Sequence, residues 1–292
     1  MPRVKLGELF SVEGKVALVT GGTRGIGLMI ARGFVENGVR TYVCSRKAEA
    51  CEKAASELSR VGTCIGIPAD LGTMEGVAGL VSELASREPE LHILVNNAGA
   101  NWGAPLDEFP EAGWDKVMDL NLKSIFFLTR DLLPLLRKAG RAADPARVIN
   151  IGSIDGLHVP ILDTYAYSAA KAGLHHLTRV LARRLAAENV NVNAIAPGPF
   201  ESQMMKATLA RFGEMIRKSN PRGRIGEPED VAGTAIYLAS RASAYVAPSK
   251  RNQPGPVSTG SPAQSRASRA LSLGSPSTNR SSSPSWNASH SL

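Results

Sequence analysis

Tyr167 and Lys171 frame the segment Tyr167-Ser168-Ala169-Ala170-Lys171. On a helix that spacing puts a phenol and an ammonium on one face, with about 6 Å between their Cβ atoms. A neighbouring lysine cation favours tyrosinate, lowers the phenol pKa and eases proton exchange with a carbonyl or alcohol oxygen near neutral pH. Ser153 closes the apolar run Val148-Ile149-Asn150-Ile151 and Gly152 with a hydroxyl. A hydroxyl there can bond the same oxygen and share the charge that develops on it. Each residue also has a plainer reading, because an isolated YxxxK is usually a surface pair and a serine after a strand often caps a turn. Ser153 lacks the flanking elbow pattern of a serine hydrolase nucleophile. His175 and His176 are adjacent, so on a helix they project about 100° apart, and together with His158 they do not resemble a metal cluster.

Such residues need elements that bring them together. From Lys15 to about Ala247, short β-branched runs alternate with longer helical patterns, which predicts a parallel sheet covered on both faces. The expected strands are 16–19, 41–44, 63–67, 93–95, 148–151 and 191–195, read as apolar runs buried on both sides. Between them, Val77, Leu80, Val81 and Leu84 recur at helical spacing. The segments from Ile125 to Leu136 and from Leu174 to Leu185 are more apolar than one core-facing stripe requires, so a subunit interface is one use for them.

The first strand runs into Thr20-Gly21-Gly22-Thr23-Arg24-Gly25-Ile26-Gly27, followed by a helical stretch. Glycines at 21, 25 and 27 permit a tight turn and close approach of backbone to a pyrophosphate, with a helix N-terminus behind it. After the second strand come Ser45, Arg46 and Lys47, where an NAD site usually carries a carboxylate for the adenosine ribose. Arg24 and Arg46 suit a 2′-phosphate instead, so NADP(H) is the expected cofactor; a solvated cationic pair is the alternative for Arg46 and Lys47. Asp70 follows the third strand and can accept a bond from an adenine amino group, or simply close a turn. Asn97, Ala98 and Gly99 end the fourth strand with small residues.

These ordered motifs strongly resemble the classical short-chain dehydrogenase/reductase family over Val12 to about Val246. The glycine-rich turn is similar to its cofactor fingerprint, and Asn96-Asn97-Ala98-Gly99 to its strand-end signature. Ser153, Tyr167 and Lys171 match its reactive triad. The resemblance implies that Asn121 supports a water linked to the lysine, that Pro197-Gly198 is the loop beside the nicotinamide, and that Ser202 stands where a threonine commonly bonds the carboxamide. Gly223-Arg224-Ile225-Gly226-Glu227-Pro228-Glu229-Asp230 adds a resemblance to the branch of 3-oxoacyl-acyl-carrier-protein reductases. Ser153 precedes Tyr167 by 14 residues, which resembles rhamnolipid-pathway ketoreductases and related fungal proteins.

The fold implied is a doubly wound, mostly parallel Rossmann-type sheet, and the activity is NADPH-dependent ketone reduction. The expected substrate is a hydrophobic carbonyl or alcohol, with acyl-carrier or coenzyme A linkage open, and the expected assembly is a homo-dimer or homo-tetramer. The alternative is a catalytically impaired dinucleotide-binding or interaction protein. Leu157, Val159, Pro160, Ile161 and Leu162, between Ser153 and Tyr167, suit an apolar substrate pocket or ordinary loop contacts.

Composition narrows the partners. Of the +8 formal charge, five cations and no acids fall in 249–292, leaving +3 on the body and little to suggest a nucleic-acid surface. Cys44, Cys51 and Cys64 show no CxxC spacing, so neither a disulfide framework nor a structural metal is expected. No run is long enough for a membrane span, and a cytoplasmic setting is the expectation. The domain reading is an N-terminal extension at 1–13, a catalytic domain at 14–247, and a disordered Ser/Pro-rich tail at 248–292 with 14 serines from Ser249 onward. That composition also predicts loss of the usual final edge strand.

Overall fold

The computed structural model describes residues 4–203 and 205–247. Six strands alternate with helices in the order α1 (Leu6–Phe10), β1 (Val16–Thr20), α2 (Gly25–Glu36), β2 (Arg40–Ser45), α3 (Ala48–Leu58), β3 (Cys64–Pro68) and α4 (Met74–Arg87). They continue as β4 (Ile93–Asn96), α5 (Glu111–Met118), α6 (Ser124–Ala139), β5 (Ala146–Ile151), α7 (Tyr165–Leu185), β6 (Val190–Ile195), α8 (Lys206–Ser219) and α9 (Pro228–Ala239). All pairings are parallel, in the order β3-β2-β1-β4-β5-β6. Strand order reverses between β1 and β4, so a crevice opens beyond their carboxyl ends, where doubly wound sheets bind ligands.

Alternation along the strands divides the core between the two faces. Leu18, Leu94 and Val148 pack with Leu80 and Leu84 of α4 and with Leu128 and Leu132 of α6. Val19, Val95 and Ile149 point the other way, toward Ile30 and Phe34 of α2 and Val231 and Leu238 of α9. Central strands β4 and β5 are buried throughout, whereas β3, at one edge, is only partly covered. Among the described residues, β6 forms the other edge of the sheet; the expected loss of a further strand concerns residues outside them. The expectation for 248–292 lies outside the described residues.

Residues beyond α9 are tied to the amino end of the sheet. Arg147 of β5 is 1% exposed. It donates from Nε to the Leu238 carbonyl at 3.0 Å and from Nη2 to the Ser240 carbonyl at 2.8 Å and to Asp144 Oδ1 at 3.1 Å. Lys15 shares Asp144 and donates to the Ala239 carbonyl at 2.9 Å. On β6, Asn191 donates to the Ala244 carbonyl and Asn193 to that of Val246. The leading segment, expected as a plain extension, contains α1, whose Phe10 stacks near Tyr237 with ring centroids 6.1 Å apart.

Candidate active site

The glycine-rich turn lies over the ends of β1 and β4. Gly21 has φ +63° and Gly25 φ +53°, both in the left-handed region that favours glycine. A Cβ on Gly27 would come within 2.4 Å of both Asn97 Nδ2 and the Gly21 oxygen, so the turn packs against β4 with no space for a side chain. Asn97 donates from Nδ2 to the Thr20 and Gly21 carbonyls at 2.8 and 3.2 Å. The Thr20 hydroxyl in turn accepts from the amides of Asn97 and Ala98, each at 2.9 Å. No side chain caps α2 at Arg24, and its helical ladder opens with Leu28 donating to Arg24. The N–H groups of Gly25, Ile26 and Gly27 therefore point outward as donors, which suits a pyrophosphate.

Register pairs Thr20 with Cys44, so Arg24 and Arg46 follow neighbouring strand ends. Both are exposed, and among the described residues neither has a carboxylate partner. Ser45 turns inward, its hydroxyl 3.3 Å from Cys51 Sγ. Asp70 closes a turn by accepting from the Gly72 amide at 3.0 Å. Ser202 accepts from the Met205 amide at 3.2 Å, and its Cβ would lie 3.3 Å from a Cβ on Gly25, so the segment after Pro197-Gly198 reaches the glycine-rich turn. Thr23 sits half-buried within that turn.

The reacting groups meet where β5 ends against α7. Lys171 is 4% exposed and donates to the Ile151 carbonyl at 2.7 Å. Its Nζ lies 5.6 Å from the Tyr167 ring centroid. Burial lowers the Lys171 ammonium from 10.5 to about 8. Burial also pushes the Tyr167 phenol up, the Ser153 hydroxyl opposes that shift, and the Asp155 carboxylate adds to it. This corrects the expectation that Lys171 would lower the phenol. Removal from water dominates both groups. Ser153 is buried and accepts from the Asp155 amide at 3.1 Å. Asn121, in a π-helical turn from Asp119 to Lys123, donates to the Ala100 carbonyl at 2.9 Å and accepts from its amide at 2.8 Å. Gly99 lies against it, and a Cβ there would fall 3.3 Å from Asn121 Oδ1.

Comparison with known proteins accords with this geometry. The family model described as short chain dehydrogenase matches residues 15–211. The chain belongs to the short-chain dehydrogenase family. It is therefore an enzyme of an oxidoreductase family, and its relatives share most of their length with it. The rhamnolipids biosynthesis 3-oxoacyl-[acyl-carrier-protein] reductase of Pseudomonas aeruginosa is 49% identical over 239 residues, 81% of this chain and 93% of the relative. The 2-dehydro-3-deoxy-D-gluconate 5-dehydrogenase of Dickeya dadantii is 37% identical, covering 81% and 92%. The solved Pseudomonas aeruginosa RhlG/NADP active-site complex superimposes with a TM-score of 0.79 at 49% identity, covering 82% of this chain and 94% of that one.

The supporting role of several residues of this short-chain dehydrogenase was not read from sequence, where Thr129, Asn150 and Thr178 were not singled out and Asn96 entered only as part of the strand-end motif. Asn96 and Asn150 face each other across β4 and β5. Asn96 bonds Asn150 at 2.9 Å and Thr129 at 3.2 Å, and Asn150 bonds Thr178 at 2.9 Å. This buried chain ties α6 and α7 to the sheet directly behind the site. Two asparagines inside otherwise apolar strands were the available signal. The three cysteines are free and buried; burial raises Cys44 to about 12 and Cys64 to about 11. No metal-binding group of His, Cys, Asp or Glu occurs among the described residues, and no helix there is long and apolar enough to cross a membrane.

Proposed function

We propose that this chain reduces a ketone to a secondary alcohol with NADPH, and that its substrate is a 3-oxoacyl thioester. The observation carrying the reading is the meeting of Ser153, Tyr167 and Lys171 at the carboxyl end of β5, beside the glycine-rich turn. Bound NADPH supplies a hydride to the carbonyl carbon. Tyr167 gives its proton to the carbonyl oxygen, and Ser153 holds that oxygen and shares its developing charge. The Lys171 cation stabilises the tyrosinate left behind until solvent returns the proton. Asn121, whose amide bonds Ala100 at both ends, would stand in support of a water beside Lys171. Arg24 and Arg46 would hold the 2′-phosphate, Asp70 and the Asn97–Gly99 segment would serve the adenosine and ribose, and Pro197, Gly198 and Ser202 would serve the nicotinamide.

The mouth favours an acyl chain over a sugar acid. Val159 and Ile161 are 95% and 87% exposed, with Leu157 and Leu162 beside them. Asp155, half-buried near the phenol, would repel a substrate carboxylate. Phe126 of α6 and Val180 of α7, both exposed around Leu122 and Leu177, support pairing with a second copy of the chain.

The test compares NADPH-dependent turnover of a 3-oxoacyl-coenzyme A and of 2-dehydro-3-deoxygluconate. The thioester should be preferred, and Tyr167→Phe should lower kcat by about 100-fold or more while the NADPH Kd stays within about threefold. Preference for the sugar acid overturns the substrate class. Equal loss of NADPH binding and turnover in Tyr167→Phe overturns the role of the phenol.

A further inference from the structure

We propose that His175 is a positioning residue that fixes Ser153 for carbonyl reduction, acting through the Ser153 backbone; the inference rests on the reaction proposed above. His175 follows Lys171 by four residues and Tyr167 by eight, so all three occupy one stripe of α7. Its imidazole is 9% exposed. Nε2 lies 3.1 Å from the Ser153 carbonyl oxygen and 3.5 Å from its amide nitrogen. Either tautomer therefore ties the ring to Ser153: a protonated Nε2 donates to the oxygen, and a bare one accepts from the N–H.

The space is shaped for a ring. A Cβ on Gly152 would fall 2.3 Å from His175 Cε1, and one on Gly156 would fall 2.9 Å from Cδ2. Two glycines thus let the imidazole lie between the end of β5 and α7, where it sets the separation between the strand carrying Ser153 and the helix carrying Tyr167 and Lys171. Gly156 also donates to the Ser153 carbonyl at 3.1 Å and packs closely on the α7 backbone at Lys171 and Ala172, so His175 adds a side-chain bond from the helix to the Ser153 backbone where turn and helix already touch. A leucine of comparable size would fill the space and lose that link. The imidazole does not touch the reacting oxygen; its effect passes through the aim of the Ser153 hydroxyl.

The test is a double-mutant cycle on the full chain, with a 3-oxoacyl-coenzyme A as substrate. His175→Leu should lower kcat about tenfold and leave the NADPH Kd within about twofold. In a Ser153→Ala background the same change should cost less than about twofold. His175→Gln, whose amide can fill either hydrogen-bonding role, should return kcat to within about threefold of wild type. An undiminished kcat in His175→Leu overturns the inference. So does an equal loss in both Ser153 backgrounds, a parallel loss of NADPH affinity, or a Gln variant no better than Leu. If His175→Leu does not fold, His175→Asn, too short to reach Ser153, takes its place with the same outcomes. Ser153→Ala having no effect by itself would instead overturn the reaction assignment.

Discussion

Lys171 is a charge that folding buries without a carboxylate partner among the described residues; its bond is to the Ile151 carbonyl. The ammonium falls from 10.5 to about 8 because it is removed from water. Below about pH 8 the folded and unfolded lysine both carry the proton, and the full cost of burying it is present. Between about 8 and 10.5 the unfolded chain binds more protons, so stability rises with pH, and above 10.5 the cost is gone. That separation corresponds to about 3 kcal/mol at neutral pH. Lys171→Met keeps an unbranched stem and removes the charge, while forfeiting a hydrogen bond worth about 1–2 kcal/mol. The variant should therefore be more stable than wild type by about 1–2 kcal/mol at pH 7, a Tm gain of roughly 4 °C for a domain of this size. Turnover should be lost. Calorimetry without cofactor, whose binding would add stability by mass action, should show the gain at pH 7 and its disappearance toward pH 10. A Met variant no more stable than wild type at pH 7, or a gain of equal size at both values, would refute the reasoning.

Gly27→Ala places a Cβ within 2.4 Å of Asn97 Nδ2 and the Gly21 oxygen. It should raise the NADPH Kd more than about tenfold in a fluorescence titration, and a change below twofold would contradict the close packing assigned to the turn. Arg46→Ala should lower the NADPH-to-NADH ratio of kcat/KM by about tenfold; an unchanged ratio would remove Arg46 from 2′-phosphate recognition. Arg147→Met removes the guanidinium donors to the Leu238 and Ser240 carbonyls, which keep only bonds from Ser243, and leaves Asp144 with one cation fewer. It should cost about 3 kcal/mol in chemical denaturation, and a loss below about 1 kcal/mol would show that α9 is held by other contacts.

The strand cores were legible because β-branched apolar runs between turn signals have few other uses in a chain of this length. Their ends were not: β1 extends to Thr20 and β4 to Asn96, one residue beyond the apolar run in each case. Those terminal polar residues are held by partners distant in sequence, Thr20 through Val95 and Asn97, and Asn96 through Asn150 and Thr129. Likewise α1 is only five residues long and has no sustained period from which to read it. The direction of the Tyr167 shift was missed for a related reason. Spacing placed a cation four residues away, but the burial of both groups comes from β5 and the loops around it, which no local pattern reports.

Motif residues at this site divide into those free to meet a ligand and those that hold them in place. Among the described residues, Arg24, Arg46 and the first N–H groups of α2 show no protein partner that would compete with a phosphate. Asn97 and Asn121 are the opposite, since their amides bond the backbone at Thr20, Gly21 and Ala100. An asparagine supplies a donor and an acceptor on a short, stiff stem, which suits bridging two loops more than reaching into a crevice. His175 performs the same kind of work from α7 for the end of β5. Carbonyl reduction requires hydroxyl, phenol and hydride donor to converge on one bond, and errors of about 1 Å in such a geometry cost rate steeply. The polar residues behind the site therefore bear on turnover as directly as those that face the substrate, although their effect should appear in kcat and not in cofactor affinity.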